Sequence, residues 1–347
     1  MFEMIDEIIQ QIYPSEKAEI VEVIKSGLIN QTYKIRIADR HFALQSINQN
    51  VFKDPSIIHE NLERLNSYII LHQPDYKLNT PLSDSSGNSL FIVDDVYYRL
   101  FDWVEEGVTI DTVKKPEQAY EAAKQFAAFT KVFEDFDTKL LIPPIINFHN
   151  LPLRYNQFND SLYHASEERR YPVRKEVGEL LDEFSYLVGV YNEMTLDPRF
   201  KLRVMHHDAK ISNVLFDKNE KGLCLIDLDT VMPGFILSDW GDMMRTYISP
   251  ANEEETDLEK VFVRKEYIEA IQAGYLEVLG NTISKAESGS LINSGMVIIY
   301  MQALRFLADH LNQNIYYGAD YDGQNYYRAI NQIKLLRELQ RFAKEQK

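Results

Sequence analysis

Residues 204–229 read VMHHDAKISNVLFDKNEKGLCLIDLD, and this stretch constrains the chain more tightly than any other. Two short apolar runs, 214–216 and 223–226, flank the polar, glycine-containing segment 217–222. That pattern predicts an antiparallel hairpin with a tight reversal. A hairpin of this kind fixes what stands at its open end: Asn213 enters it and Asp227 leaves it, so the two side chains converge. Asp208 lies in the loop just before them. An amide oxygen and a carboxylate suit a hard cation such as magnesium, whose remaining positions phosphates and water can fill.

The rest of the chain supplies a setting for that hairpin. At 347 residues it is longer than one compact core usually holds, and two lobes are expected: residues 1–101, a turn-like acidic linker at 102–107, and residues 108–347. The first lobe reads as a helix ending before Pro14, strands at 20–23, 32–37 and 42–47, a helix at 56–71, and a hairpin at 89–93 and 96–101. A turn at 27–31 joins the first two strands. Helix dominates the second lobe, with spans expected at 119–133, 173–194, 264–279, 291–311 and 325–344. Residues 147–172 are poorly periodic and read as a loop-rich, substrate-facing surface. The fold class is therefore α+β, a small mixed sheet beside a larger helical lobe.

Charge and composition exclude several roles. A formal net charge of −16 argues against nucleic acid as a partner, because binding a phosphate backbone needs a basic surface. An anionic substrate would need a metal or a local basic pocket. The single cysteine, Cys224, falls in an apolar run and reads as a small buried hydrophobe. A reducing, cytoplasmic location is expected. The acidic first residues do not read as an export signal, and the apolar run 296–307 carries Gln302 and Arg305 and is short for a bilayer, so no membrane partner is expected.

The order His206, Asp208, Asn213 and then Asp227 resembles the protein-kinase catalytic loop and its metal-binding aspartate, with His207 where that loop carries arginine. A zinc reading of His206 and His207 is the alternative, and neighbours on an extended strand point apart. The segment as a whole resembles the aminoglycoside phosphotransferase and choline kinase superfamily, and more narrowly the N-acetylhexosamine 1-kinases. That likeness rests on residues 206–216, IDLDTVMPG at 226–234, DWGDMMR at 239–245 and RFLADHLN at 305–312.

The resemblance implies a two-lobed, protein-kinase-like fold whose first lobe binds a nucleoside triphosphate. It implies ATP and Mg2+ as cofactors, and a small-molecule sugar substrate phosphorylated on its anomeric hydroxyl. Choline, homoserine or an aminoglycoside is the alternative acceptor, and a nucleotide-binding pseudokinase the rival from another class. Asp208 and Lys210 are then the catalytic pair, and Asn213 and Asp227 the metal ligands. Asp239 has a structural role beneath the loop. Asp242, Arg245, Arg305 and Tyr317 stand near the sugar pocket.

The first lobe departs from the kinase pattern. The strand at 42–47 presents Gln45 where a phosphate-binding lysine is expected, and the glycine-rich loop is reduced to Gly27. Asn30, Thr32 and Gln45 are the nucleotide-contacting candidates. Asp229 reads equally as a second metal ligand or a turn carboxylate.

Overall fold

The computed structural model describes residues 2–24 and 29–346. Five strands form an antiparallel sheet in the order β1-β2-β3-β5-β4: β1 Ala18–Ile24, β2 Gln31–Ile37, β3 Arg40–Ser46, β4 Phe91–Val93 and β5 Val96–Asp102. Alternation along these strands separates two faces. One face carries Phe42, Leu44, Tyr98 and Leu100 and packs with Ile5, Ile8 and Ile9 of helix α1, Phe2–Ile12. The other face carries Ala43, Gln45, Arg99 and Phe101, which line a cleft. Of the expected turn at 27–31, Gly27 and Leu28 lie outside the described residues, and Gln31 already begins β2.

Helix α2, Pro55–His72, starts at an Asp54 side-chain cap with proline in its first turn, which preorganises the entry. Its buried stripe, Ile58, Leu62, Leu65 and Ile69, joins the core of the second lobe. Asn61 exchanges hydrogen bonds with the Ile142 backbone, tying the helix to that lobe.

The second lobe is helical. Helix α3, Pro116–Val132, lies along α9, Lys265–Leu279, and the approach is so close that a side chain on Gly274 would strike the Tyr120 carbonyl. Residues 147–172, read from sequence as loop, are mostly helix: α4 Leu151–His164, capped by Asn150, and α5 Glu167–Arg170. The apolar stripe of α4 is thin, with Leu151, Phe158 and Ser161 its buried residues, which explains the weak periodicity. The single helix expected at 173–194 is divided into α6 Arg174–Gly178, a π-helical stretch at 179–183, and α7 Tyr186–Leu196.

Two two-stranded sheets follow. β6 Arg203–Met205 pairs with β9 Met232–Gly234, and β7 Val214–Phe216 pairs with β8 Gly222–Leu225 in the hairpin that the sequence predicts. Arg203 is buried against Glu287 at 2.5 Å, anchoring β6 to α10, Lys285–Gly289, whose capping box Glu287 also completes.

Helix α8, Leu237–Tyr247, follows β9 and packs on α11, Leu291–Leu311. The apolar run at 296–307 thus belongs to a helix of 21 residues, long and apolar enough to cross a membrane by length and composition. It is instead the centre of the lobe, with 72% of its apolar window buried and α12, Gln324–Glu345, packed along it.

Candidate active site

The loop from His206 to Ala209 is gripped through its backbone. Asp239, in the first turn of α8, accepts the His206 amide at 3.0 Å and the His207 amide at 2.7 Å. The Thr230 hydroxyl donates to the His206 carbonyl at 2.6 Å, and the Tyr247 hydroxyl to the Ala209 carbonyl at 2.7 Å. His207 adopts φ +67°, a strained conformation for a residue with a side chain, so these bonds hold a backbone that would relax elsewhere. Its ring rests against Gly234, where a Cβ would have no room. Its Nδ1 is 2.7 Å from the Ser238 hydroxyl, which also meets the His149 ring. His206 packs edge-on to Phe126, with Nε2 3.0 Å from the Ile226 carbonyl. The zinc reading of the two histidines finds no support, since among the described residues no group of three or more His, Cys, Asp or Glu side chains is placed to hold a metal ion.

The loop presents Asp208 between two partners. Lys210 Nζ is 3.0 Å from Asp208 Oδ2, and Asn213 Nδ2 donates to the Asp208 carbonyl at 2.9 Å and to Oδ2 at 3.0 Å. Burial by itself would raise the Asp208 carboxyl, but Lys210 and the Asn213 amide outweigh it and hold the group below the ordinary carboxylate range. The Lys210 ammonium is raised in turn, mainly by Asp208 and then by Asp242.

Asp227 leaves the hairpin at φ +58° and opens into the cleft that Asn213, Thr32 and Gln45 also line. Lost hydration, then the nearby Asp229 and Asp208 carboxylates, raise its carboxyl. With the Asn213 nitrogen committed to Asp208, its amide oxygen is the atom left for a ligand. One oxygen from Asn213, one carboxylate from Asp227 and a local excess of negative charge fit a divalent cation with oxygen preference.

The nucleotide candidates stand differently from expectation. Gln45 lines the cleft but commits both ends of its amide to protein: Oε1 accepts from Arg99 Nε at 3.0 Å and Nη2 at 2.6 Å, and Nε2 donates to Thr32 Oγ1 at 3.0 Å. Asn30 is buried with Nδ2 on Asp229 Oδ2 at 2.7 Å and Oδ1 accepting the Asn48 amide at 3.0 Å. It ties the sheet to the helical lobe and has no free amide to offer a phosphate. Asp229 is neither of its two expected readings alone, because it is buried in an ion pair with Arg99 at 2.5 Å. Arg99 escaped the sequence reading. The available signal was a lone arginine inside the run VYYRLF at 96–101, whose other residues are apolar or aromatic.

On the far side of Lys210, Asp242 pairs with Arg245 at 2.8 Å, Arg245 with Glu253 at 2.5 Å, and Glu253 with Arg328. The Arg245 and Arg328 guanidinium groups hold the Glu253 carboxyl at about 2 despite burial. Arg328 lies 4.0 Å over the Phe306 ring, and Arg305 lies 5.4 Å over both Phe148 and Tyr317. Gln302 donates to the Tyr317 hydroxyl at 3.0 Å. Asp309, unnoticed as a functional residue in the sequence, accepts the amides of Tyr316 and Tyr317 at 2.7 and 3.0 Å and so positions both rings. The four acceptor-side candidates therefore belong to one connected wall.

A model of the APH family, the phosphotransferase enzyme family, matches residues 20–279. Similar solved structures include an aminoglycoside phosphotransferase from Alicyclobacillus acidocaldarius, with a TM-score of 0.63 at 15% identity over 97% of this chain and 96% of that one. A spectinomycin phosphotransferase in complex with ADP and spectinomycin gives 0.61 at 11% identity, covering 97% and 98%. A choline kinase from Cryptosporidium parvum gives 0.56 at 16% identity, covering 94% and 90%. At these identities the likeness is one of fold, and it matches the small antiparallel sheet and helical lobe described above.

Proposed function

The chain belongs to the APH family of phosphotransferase enzymes, and on that premise we propose that it is an ATP-dependent small-molecule kinase acting on a sugar hydroxyl, the anomeric hydroxyl of an N-acetylhexosamine. The observation that carries the kinase reading is the placement of Asp208 between Lys210 and Asn213, with Asp227 lining the adjoining cleft.

Phosphoryl transfer asks a protein for alignment and charge neutralisation more than for covalent help. Asp208 accepts a hydrogen bond from the acceptor hydroxyl, points its oxygen at the phosphorus and takes its proton late. Lys210 counters charge on the group in transit. Asn213 Oδ1 and the Asp227 carboxylate would hold Mg2+, which when bound offsets the charge of the nucleotide phosphates. The backbone bonds from Asp239, Thr230 and Tyr247 keep Asp208 in place while substrates exchange.

The acceptor wall supports a neutral polar substrate over a cationic one. Cationic alcohols such as choline are recognised by open aromatic faces and unpaired carboxylates. Here Arg305 and Arg328 cover the rings of Phe148, Phe306 and Tyr317, Glu253 is held by two arginines, and Asp242 gives one oxygen to Arg245 while its other, buried oxygen has no partner among the described residues. Hydroxyl and amide groups of a sugar would find guanidinium and phenol donors instead. Purified protein incubated with ATP, magnesium and a panel of N-acetylglucosamine, N-acetylgalactosamine, choline, homoserine and an aminoglycoside tests this. ADP release with a phosphorus NMR signal for a sugar 1-phosphate is expected. Brisk consumption of a cationic alcohol with both hexosamines untouched would sink the acceptor assignment, and no ADP release with any acceptor would sink turnover itself.

A further inference from the structure

Kinases of the protein-kinase type hold the nucleotide phosphates with a strand lysine that is fixed by a helix glutamate. Neither is at its expected place here. Gln45 stands on β3, and α2 contributes Asn61 and Leu62 toward the other lobe, with Glu60 and Glu63 paired on its own surface to Arg64 and His59. An acidic chain that binds a nucleoside triphosphate still needs a cation in that cleft.

Arg99 meets the need. It sits on β5 directly opposite Gln45 in the β3–β5 register, and it is the one cation among the described residues that line the cleft. Its side chain is 3% exposed. One edge of the guanidinium is fixed: Nε and Nη2 both donate to Gln45 Oε1, and Nη2 lies 2.5 Å from Asp229 Oδ1. Thr32 in turn holds Gln45. Among the described residues no acceptor pairs with Nη1, so that corner of the guanidinium keeps its donors for something else. Asp229 comes two residues after Asp227, so the same ion pair sets the distance between the cation and the proposed metal ligand. A purely structural clamp would be a poor use of a buried ion pair, which stabilises a fold no better than packed apolar side chains do.

We propose that Arg99 is the phosphate-binding cation of this kinase, taking over from the neighbouring strand the task of the absent lysine: its Nη1 edge donates to an α- or β-phosphate oxygen while Gln45 and Asp229 hold the rest of the guanidinium. Gln45 is then a positioning residue that acts through Arg99. The inference rests on the nucleotide half of the proposed function and is independent of the acceptor.

Isothermal titration of the full chain in magnesium buffer, with ADP and with adenosine as separate probes, tests it. Charge-assisted hydrogen bonds are strong enough that Arg99→Gln should weaken ADP by at least about tenfold, while adenosine, which has no phosphate, changes by less than about twofold. Arg99→Lys should keep most of the ADP affinity. Adding Gln45→Lys to Arg99→Gln moves a cation back to β3 and should recover ADP binding to within about threefold of the wild type. Thermal unfolding of each variant reports its folded state. Equal losses for ADP and adenosine would make Arg99 a structural clamp and overturn the inference, as would an unchanged ADP affinity in Arg99→Gln. A wild-type protein that binds no ADP would overturn the nucleotide reading itself, and this inference with it.

Discussion

Replacing Asp239 with asparagine removes one acceptor from beneath the catalytic loop and leaves its shape unchanged. The two oxygens of Asp239 receive the His206 and His207 amides in a fully buried site. Asparagine offers one oxygen and one NH2 group, so one backbone N–H would face a donor. An unsatisfied buried donor costs about 1–3 kcal/mol, and loss of charge on the remaining bond adds about 1 kcal/mol. The expected destabilisation near neutral pH is about 2–4 kcal/mol, or about 4–8 °C in midpoint at roughly 2 °C per kcal/mol for a large chain.

The pH dependence gives this perturbation a sign. Burial pushes the Asp239 carboxyl up to about 6, against the opposing pull of His206 and the two amides. The native chain thus holds this proton more tightly than the unfolded chain, whose carboxyl has the ordinary value of 3.8. The contribution is fully present below about pH 4 and is lost as pH rises through about 6. A difference of about two units is worth about 3 kcal/mol. Asparagine has no such dependence, so the gap between wild type and Asp239→Asn should be widest at low pH and narrow toward neutrality. Urea unfolding followed by tryptophan fluorescence at about pH 5 and about pH 8 measures it. A gap that widens with pH, or a loss of unfolding free energy below about 0.5 kcal/mol at both values, would refute the reasoning.

Lys210→Met removes the cation beside Asp208 and should lower kcat by about a hundredfold with ADP affinity kept, as read by steady-state turnover and titration; a loss under about threefold would take Lys210 out of the transfer step. Arg203→Met leaves Glu287, 1% exposed, without its partner and should cost about 3–5 kcal/mol in chemical unfolding. Adding Glu287→Leu should return much of that loss, since the buried charge goes with it.

Features set by neighbouring residues were legible before the structure. The hairpin at 214–225 follows from apolar runs around a polar reversal, and with it came the convergence of Asn213 and Asp227 on one cleft. The α4 helix was not, because its hydrophobic stripe is narrow and its cap is a single asparagine. The break in the helix expected at 173–194 is a tertiary matter, since the π-helical stretch seats Leu180 in the core and Glu179 takes an ion pair from Arg337 on α12. Least legible was Arg99. Its meaning depends on Gln45, brought opposite it by the pairing of β3 with β5, and on Asp229, which reaches it only when sheet and helical lobe meet.

The left-handed backbone at Asp227, φ +58° and ψ +56°, limits how this position can change over evolutionary time. Asparagine and glycine tolerate that conformation at little cost, while longer and branched side chains do not. Both tolerated replacements discard the carboxylate, and glutamate, which would keep it, is disfavoured in this conformation. Under the proposed function, no replacement that this backbone accepts readily keeps a carboxylate at 227 for the metal. If the proposed function holds, Gly or Asn at 227 in a related chain would mark a scaffold kept without its phosphoryl transfer.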